Sequence, residues 1–312
     1  MNDWTSHGTP RLTRFRFATV GAPDVAAAEA MYVGVLGYHV RERGTVAQDL
    51  AASWGAPAVA GRPYAVLSTG GAPDDYLRIV ETEAVPGYRP LTTFGWAAFE
   101  IIVDEVDEVH RRLVAAGVTI LAPPTPLQFM PSIVAMQAVG PAGECLYFTT
   151  ETGDRAASIL PRPRSLIDRP FILVVAGPDF DALRNWYCDL FDLKRRPLRE
   201  SRIAIVQRAQ GLAADQIIRM TTAGLAEHGY LLEFDEYPTG PGRIAAPRPH
   251  EPGALVPGCA MASLATLDLD RVAPLAIAPP VRRDGPGYDG QRACTVRGPA
   301  GELIEFIEER PA

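Results

Sequence analysis

The chain repeats itself, and this repeat limits the fold more than any other feature of the sequence. The string GPAGE begins at Gly140 and again at Gly298, 158 residues later, which is about half of the 312-residue chain. Tyr32 and Tyr187 lie in matching segments with nearly the same spacing, 155 residues. A fixed internal period is typical of a duplicated architecture, so the two halves are predicted to share one fold.

Each half divides again into two units of a strand, a helix and further strands. The segment "FEIIVDEVDEVHRRLVAAGVTILAPP" follows the same order as the one that begins at Phe17: an apolar strand, an acidic start and an amphipathic helix. The helix is predicted over residues 104–116 and ends at Gly117. Its apolar stripe contains Val106, Val109, Leu113 and Val114.

The remaining segments complete the four units. The helix of the last quarter is predicted to be shorter, because about two turns are missing there and Pro274 interrupts the pattern. The segments "DLAASWG" and "QGLAADQ" are predicted to be small helical inserts. Four apolar segments are predicted to be strands: "PYAVLSTG", "IVAMQAVG", "IAIVQRA" and "RACTVRG".

Composition restricts the class of protein. A hydrophobic content of 47% supports a full core. The net charge of −7 argues against a nucleic-acid partner, which requires a basic face. No apolar run of 18 residues indicates a membrane span. The four cysteines are scattered without CxxC spacing, so free thiols and a cytoplasmic location are expected.

The combination of "VGAPDVAAAEAMYVGVLGY", "DEVDEVHRRLVAAGV" and "GPAGELIEF" resembles the vicinal oxygen chelate superfamily. That superfamily includes glyoxalase I, extradiol dioxygenases, and bleomycin- and fosfomycin-resistance proteins. The resemblance extends from about Arg14 to Glu309. It implies an α+β fold of four βαβββ modules that form two curved-sheet, glyoxalase-like domains.

The predicted domains follow the two halves of the sequence. An N-terminal domain covers residues 1–152, with modules at about 14–85 and 94–150. A polar, proline-containing linker covers 153–168. A C-terminal domain covers 169–312, with modules at about 169–238 and 255–310. The sequence leaves open whether the halves close on themselves or exchange modules with a second chain in a homodimer.

The resemblance also indicates where metal ligands would lie. The superfamily places one ligand, usually His, on the first strand of a module and another, usually Glu, on the last strand. None of the matching first-strand positions is a histidine, so we expect no metal and no other cofactor. The first-strand positions are Phe17, Ala98, Ile172 and Met261, and the last-strand positions are Arg78, Tyr147, Glu233 and Glu305.

Six residues are the candidate site. Glu305 and Glu233 are the candidate catalytic bases, because apolar neighbours would raise the pKa of each carboxyl. The two are expected in one C-terminal cleft. The candidate substrate contacts are Arg78, Tyr147, Trp96 and His228. Each residue also has a structural interpretation, as a retained carboxylate, a packed ring, a paired arginine or a surface histidine.

Three functions remain open. The first is binding of a small, apolar or aromatic molecule in a cup-shaped cavity without the metal, with proton transfer of the isomerase or lyase type. The second is a binding protein that sequesters a drug or metabolite. The third is an extradiol-type dioxygenase with a displaced metal site that uses His228 or His250 together with the two glutamates.

Overall fold

The computed structural model describes residues 9–128 and 130–309, which fold as four consecutive modules. The elements of module 1 are β1 (Leu12–Ala22), α1 (Val25–Gly34), β2 (His39–Thr45), α2 (Gln48–Ser53), β3 (Pro63–Ser68) and β4 (Tyr76–Glu81). The elements of module 2 are β5 (Gly95–Val103), α3 (Val106–Ala115), β6 (Ile120–Leu127), β7 (Met130–Val139) and β8 (Cys145–Glu151).

The second half repeats this order. The elements of module 3 are β9 (Ile167–Gly177), α4 (Phe180–Phe191), β10 (Arg199–Ser201), α5 (Ala204–Gln210), β11 (Ile218–Gly224) and β12 (Leu231–Glu236). The elements of module 4 are β13 (Gly258–Thr266), α6 (Leu269–Val272), β14 (Val281–Arg282), β15 (Arg292–Arg297) and β16 (Leu303–Glu308). The four βαβββ modules and the α+β class are therefore confirmed.

The modules combine into two eight-stranded sheets, and each sheet takes one module from each half. The strand order is β14-β15-β16-β13-β1-β4-β3-β2 in one sheet and β10-β11-β12-β9-β5-β8-β7-β6 in the other. The central antiparallel pairs are β1 with β13 and β5 with β9. The predicted boundaries, 1–152 and 169–312, thus separate the sequence repeats and not the sheets, because the central strand pairs join opposite halves.

Alternation along each strand gives each sheet two different faces. On β12, Leu232 and Phe234 belong to the largest apolar cluster, which also contains residues of both sheets and of the helices. Leu231 and its neighbours on the opposite face pack against a separate cluster with Ala98 and Val174. One face of each sheet therefore builds the common core. The other lines a concave side, which we call the 1–4 cup or the 2–3 cup after its modules.

The duplicated GPAGE turn joins the two sheets twice. In module 4, the hydroxyl of Tyr187 donates to Glu302 Oε1 at 2.7 Å, and the backbone N–H of Ala300 donates to Glu302 Oε2 at 2.8 Å. Glu144 of module 2 has the same arrangement with Tyr32 and the N–H of Ala142. Each tyrosine comes from a module of the other sheet. The repeated sequence therefore encodes a repeated buried hydrogen bond between the sheets.

The helix predictions are confirmed in part. Helix α3 ends before Gly117, which has a φ of 72°, but Val114 of the predicted stripe is 54% exposed. Helix α6 has only 4 residues, and Pro274 lies in the 3-10 turn that follows it. Helix α2 forms in the predicted insert "DLAASWG".

The third module contains two wrong predictions. The segment "IAIVQRA" was expected to be a strand and "QGLAADQ" a helix, but α5 occupies Ala204–Gln210. Ile205 and Val206 are buried on this helix, and Gly211 ends it with a φ of 63°. The strand that the module requires lies further along the chain, at β11.

Candidate functional site

The two cups bring the eight superfamily positions together in two sets. In the 1–4 cup, β1, β4, β13 and β16 are adjacent. They carry Phe17, Arg78, Met261 and Glu305. In the 2–3 cup, the corresponding positions are Ala98, Tyr147, Ile172 and Glu233. Glu305 and Glu233 therefore lie in different sheets, and the predicted cleft that contains both is wrong.

Arg78 and Glu305 form an ion pair on the floor of the 1–4 cup. Arg78 Nη2 lies 3.0 Å from Glu305 Oε2, and both side chains are 2% exposed. Two intervening strands, β1 and β13, separate the strands that carry them. The pair crosses from the first module to the last, so it depends on the order of strands in the sheet.

Four donors surround the Glu305 carboxylate. Oε1 accepts hydrogen bonds from Trp54 Nε1 at 2.9 Å and from the Tyr288 hydroxyl at 2.7 Å. Oε2 accepts from Ser263 Oγ at 2.6 Å as well as from Arg78. Burial acts to raise the pKa of Glu305, but Arg78 and these donors outweigh it and lower the pKa below its ordinary value. The predicted raised pKa is therefore wrong, and the carboxylate is held ionised.

Arg78 is held in place from several sides. Its guanidinium carbon lies 4.5 Å from the ring centroid of Phe17 and 4.5 Å from that of Trp54, which are cation–π distances. Its Nε donates to Thr19 at 3.1 Å, and Nη1 donates to the Tyr288 hydroxyl at 2.6 Å. The guanidinium is consequently a fixed, neutralised part of the floor.

Two aromatic partners of the Arg78–Glu305 pair are absent from the sequence prediction. Trp54 follows α2, the insert that was predicted only as a helix, and Tyr288 lies in the loop between β14 and β15. The sequence signal that could have identified these two residues is the presence of aromatic side chains in inserts beside the last strands. Their role depends on the pairing of module 1 with module 4, which sequence spacing does not determine.

A cavity of about 250 Å³ opens above this floor. Its wall includes a hydrogen bond from the Tyr64 hydroxyl to Glu42, and Arg283 at its edge pairs with Asp49 at 2.9 Å. The polar groups stand among apolar and aromatic side chains. The lining residues are Phe17, Glu42, Ala47, Leu50, Trp54, Tyr64, Val66, Arg78, Arg282, Arg283, Asp284, Gly285, Pro286 and Tyr288.

The 2–3 cup also carries carboxyl groups, but its positions equivalent to Arg78 and Glu305 do not form an ion pair. Burial, together with Asp235 and Glu100, raises the pKa of Glu233 well above its ordinary value. Burial raises the pKa of Glu100 and of Asp235 to about 7 in each case. Thr149 donates to Glu100 at 2.5 Å. Tyr147 stands where the other cup has Arg78, so no cation of the chain occupies that position.

Two of the predicted substrate contacts lie elsewhere. Trp96 is 1% exposed in the common core, where its Nε1 donates to the carbonyl of Leu303 at 2.8 Å. His228 is exposed in the turn between β11 and β12. His250, which the dioxygenase alternative requires, is exposed in a loop beside Arg248. These side chains therefore have structural or surface positions.

The side chains at the superfamily's metal positions do not fit a divalent ion. The 1–4 cup offers one carboxylate, which a guanidinium already neutralises, together with a phenyl ring and a thioether. The 2–3 cup offers one carboxylate with alanine, isoleucine and tyrosine. Among residues 9–128 and 130–309, no three His, Cys, Asp or Glu side chains are grouped so that they could hold a metal ion.

The two curved sheets define a glyoxalase-like fold, and comparisons with solved structures agree. Glyoxalase I from Zea mays is 16% identical, with a TM-score of 0.60 over 95% of this chain and 92% of that chain. A putative dioxygenase from Bacillus subtilis is 14% identical, with a TM-score of 0.60 over 97% of this chain and 87% of that chain. At these identities the likeness shows the fold alone.

A family model matches the first part of the chain. The model of the Glyoxalase/Bleomycin resistance protein/Dioxygenase superfamily matches residues 14–132, which contain module 1 and most of module 2. The matched part of the chain is thus similar to this superfamily in sequence. No curated protein sequence matches the chain. In the described part of the molecule, no helix has the length and apolar character needed to cross a bilayer.

Proposed function

We propose that this protein binds a compact apolar or aromatic molecule in the 1–4 cup and does so without the divalent metal of its superfamily. The single observation that carries the proposal is the 250 Å³ cavity above the Arg78–Glu305 pair. Small-molecule sites are mostly apolar, with a few fixed polar groups. This cavity has that character, because Phe17, Trp54 and Val66 line it beside the ion pair.

The size of the cavity limits the ligand. Its volume lies just below the range of roughly 300–1,000 Å³ that is typical of pockets for drug-sized molecules. One or two rings therefore suit it better than an extended molecule. The Tyr64 hydroxyl, the Glu42 carboxylate and the guanidinium of Arg282 are polar groups along the wall and edge that could orient such a ligand.

The chemistry of the floor supports the proposed independence of the metal. The superfamily position that would hold a second ligand carries Arg78, whose positive charge already neutralises Glu305. A divalent ion there would meet a buried cation at close range, which is strongly unfavourable. The guanidinium thus occupies the place and the electrostatic role of a cation.

The same geometry favours binding over proton transfer by Glu305. All four hydrogen bonds to its carboxylate are made, two at each oxygen, and a proton would have to displace one of the donors. A base of lowered pKa is also a weak one. The dioxygenase alternative receives no support from the geometry, since Glu233 and Glu305 lie in separate cups.

A thermal-shift screen with one- and two-ring aromatic compounds tests the proposal. Compounds that bind in the cup should raise the melting temperature of the wild type. Val66→Phe fills the cavity and should remove that shift, while Val114→Phe, the same change at an exposed position of α3, should keep it. Each ligand-induced shift is measured against the same variant without ligand. This reference is needed because the added volume in a packed site itself lowers the free energy of unfolding by about 1–3 kcal/mol.

Two results contradict the proposal. One is a set of ligand shifts that Val66→Phe leaves unchanged, which would place the binding site elsewhere. The other is stoichiometric iron, zinc or manganese in the purified wild-type protein, detected by elemental analysis and lost in Glu305→Gln.

A further inference from the structure

We infer that the ligand of the 1–4 cup is a neutral aromatic molecule that donates a hydrogen bond, such as an N–H heteroaromatic, and that Glu42 accepts this bond. The inference rests on the function proposed above, because it concerns the same cavity, and it names the class of ligand that the cavity takes. The polar atoms of the lining differ in whether they are already paired, and this difference indicates what a ligand must supply.

The first observation is the position of Glu42 on the face of the sheet that lines the cup. Glu42 of β2 pairs with Val66 of β3, and Val66 in turn pairs with Arg78 of β4. Residues that pair directly across strands point to the same face, and the backbones of Glu42 and Arg78 therefore lie two strand spacings apart, roughly 10 Å. Val66 lies between them and lines the cavity. An apolar strip that a flat ring can cover thus separates the Glu42 carboxylate from the floor.

The donors on the floor are already used. Trp54 Nε1 and the Tyr288 hydroxyl donate to Glu305 at 2.9 and 2.7 Å. Each nitrogen of the Arg78 guanidinium donates to a residue of the protein. This side chain is only 2% exposed, because the rings of Phe17 and Trp54 cover it. A ligand that brings only acceptors therefore meets donors that are engaged and, in the case of Arg78, covered.

The wall, in contrast, retains an acceptor. Glu42 is half-buried, and its Oε1 accepts from the Tyr64 hydroxyl. Within residues 9–128 and 130–309, Oε2 accepts no hydrogen bond, and no Lys or Arg forms an ion pair with this carboxylate. A carboxylate accepts through both oxygens, and a hydrogen bond to a charged group is stronger than one between neutral groups. A ligand that donates to Oε2 would therefore gain a strong bond.

The charges around the cavity favour a neutral donor over a cation. Arg282 and Arg283 also line the cavity, and Arg283 is engaged with Asp49 at 2.9 Å. Arg282 is exposed at the edge, where its Nη1 donates to the carbonyl of Gly290 at 2.8 Å. These guanidinium groups would repel an ammonium group in the same cavity. An N–H or O–H on an aromatic ring satisfies Glu42 without a positive charge.

Isothermal titration calorimetry of the full chain with 3-methylindole and 1-methylindole tests this assignment. The two compounds are isomers of nearly equal size, and only 3-methylindole carries the N–H. The wild type should bind 3-methylindole at least about tenfold more tightly, as expected for one hydrogen bond to a charged acceptor. This comparison of isomers does not depend on any variant.

Glu42→Gln should remove the preference. Its amide keeps an oxygen for the Tyr64 hydroxyl but places an NH2 group at the position of Oε2, and two donors do not pair. Binding of 3-methylindole should therefore weaken about tenfold, whereas 1-methylindole should bind as before. Glu105→Gln is the matched control, because Glu105 is exposed at the start of α3 in module 2, and it should leave both affinities unchanged. Circular dichroism checks that both variants are folded.

Three outcomes would overturn the inference. The isomers could bind the wild type equally, the preference could persist in Glu42→Gln, or neither isomer could bind. In the first two cases, loss of binding in Val66→Phe would still support a binding site in the cup, and the proposed function would stand. Binding of both isomers to Val66→Phe as tightly as to the wild type would instead place the site elsewhere and contradict both proposals.

Discussion

At the scale of single residues, Arg78 and Glu305 show how one substitution alters a site. Glu305 occupies a position where the superfamily places a metal ligand, and by itself it suggests either a metal or a catalytic base. Arg78 argues against both interpretations, since it neutralises the carboxylate within the protein and helps to lower its pKa. The floor of the cup is thereby a permanent part of the structure.

The stability of the protein should depend on both partners of this pair. Glu305→Gln or Arg78→Met should each lower the free energy of unfolding by about 3–5 kcal/mol, because the remaining charge is buried without its partner. The double variant should lose less than the sum of the two. Urea unfolding measures all three. The pair of Glu29 with the exposed Arg43 is the control, and its loss should cost much less, because solvent screens an ion pair at the surface.

The stability contributed by Asp235 should fall as the pH rises, whereas a carboxylate paired with a cation contributes stability that increases with pH. Burial raises its pKa from an ordinary 3.8 to about 7, so between these values the folded protein holds a proton that the unfolded chain has released. Stability from this group therefore falls as the pH rises through that window. Asp235→Asn should flatten the fall in urea midpoint from pH 4 to pH 8. The exposed Asp74→Asn should not, and an equal slope in both variants would contradict the assignment.

At the scale of elements, the two GPAGE turns act as joints between the sheets. A side chain at Gly140 or Gly298 would bring a Cβ within 2.1 Å of the glutamate that follows in the same turn, so glycine is required there. The turn, the glutamate and the helical tyrosine form one unit. Because this unit occurs twice, the two GPAGE sequences are identical, whereas the residues at the cup positions differ between the modules.

Tyr32→Phe and Tyr187→Phe should each destabilise the protein, because each leaves a buried glutamate oxygen without its donor. The expected loss is about 1–3 kcal/mol for each variant. The effects should add in the double variant, since the two tyrosines share no partner. Chemical unfolding measures this. Tyr38→Phe, at a buried tyrosine beside Tyr32, is the control, and an equal loss there would show that the hydroxyl bonds to glutamate are not the cause.

At the scale of the whole molecule, each half depends on the other for its sheets. Residues 1–152 and 169–312, expressed as separate chains, should each lack a central strand partner and remain unfolded or associate. Co-expression should give a soluble complex with the thermal transition of the intact protein. Size-exclusion chromatography and circular dichroism measure both. Two separately folded, monomeric halves would contradict the observed pairing.

The repeat made much of the fold predictable from the sequence. Four copies of one pattern indicated the modules, the resemblance to the superfamily and the short fourth helix, because strand, cap and turn signals are local. The prediction for the segment around α5 was wrong for the same reason, because it used local signals alone. A short apolar run such as "IAIVQRA" does not distinguish a strand from a helix, and burial of Ile205 and Val206 in the tertiary structure decided it.

The sequence by itself determined which chemical groups the cups contain: the acids, the missing histidines, Arg78 and Tyr147. Only the tertiary structure decided which of these groups meet. Pairing of module 1 with module 4 placed Arg78 against Glu305 and separated Glu305 from Glu233. Contacts between strands more than 200 residues apart depend on how the whole sheet assembles, and the similar local patterns of the four modules do not reveal which modules pair.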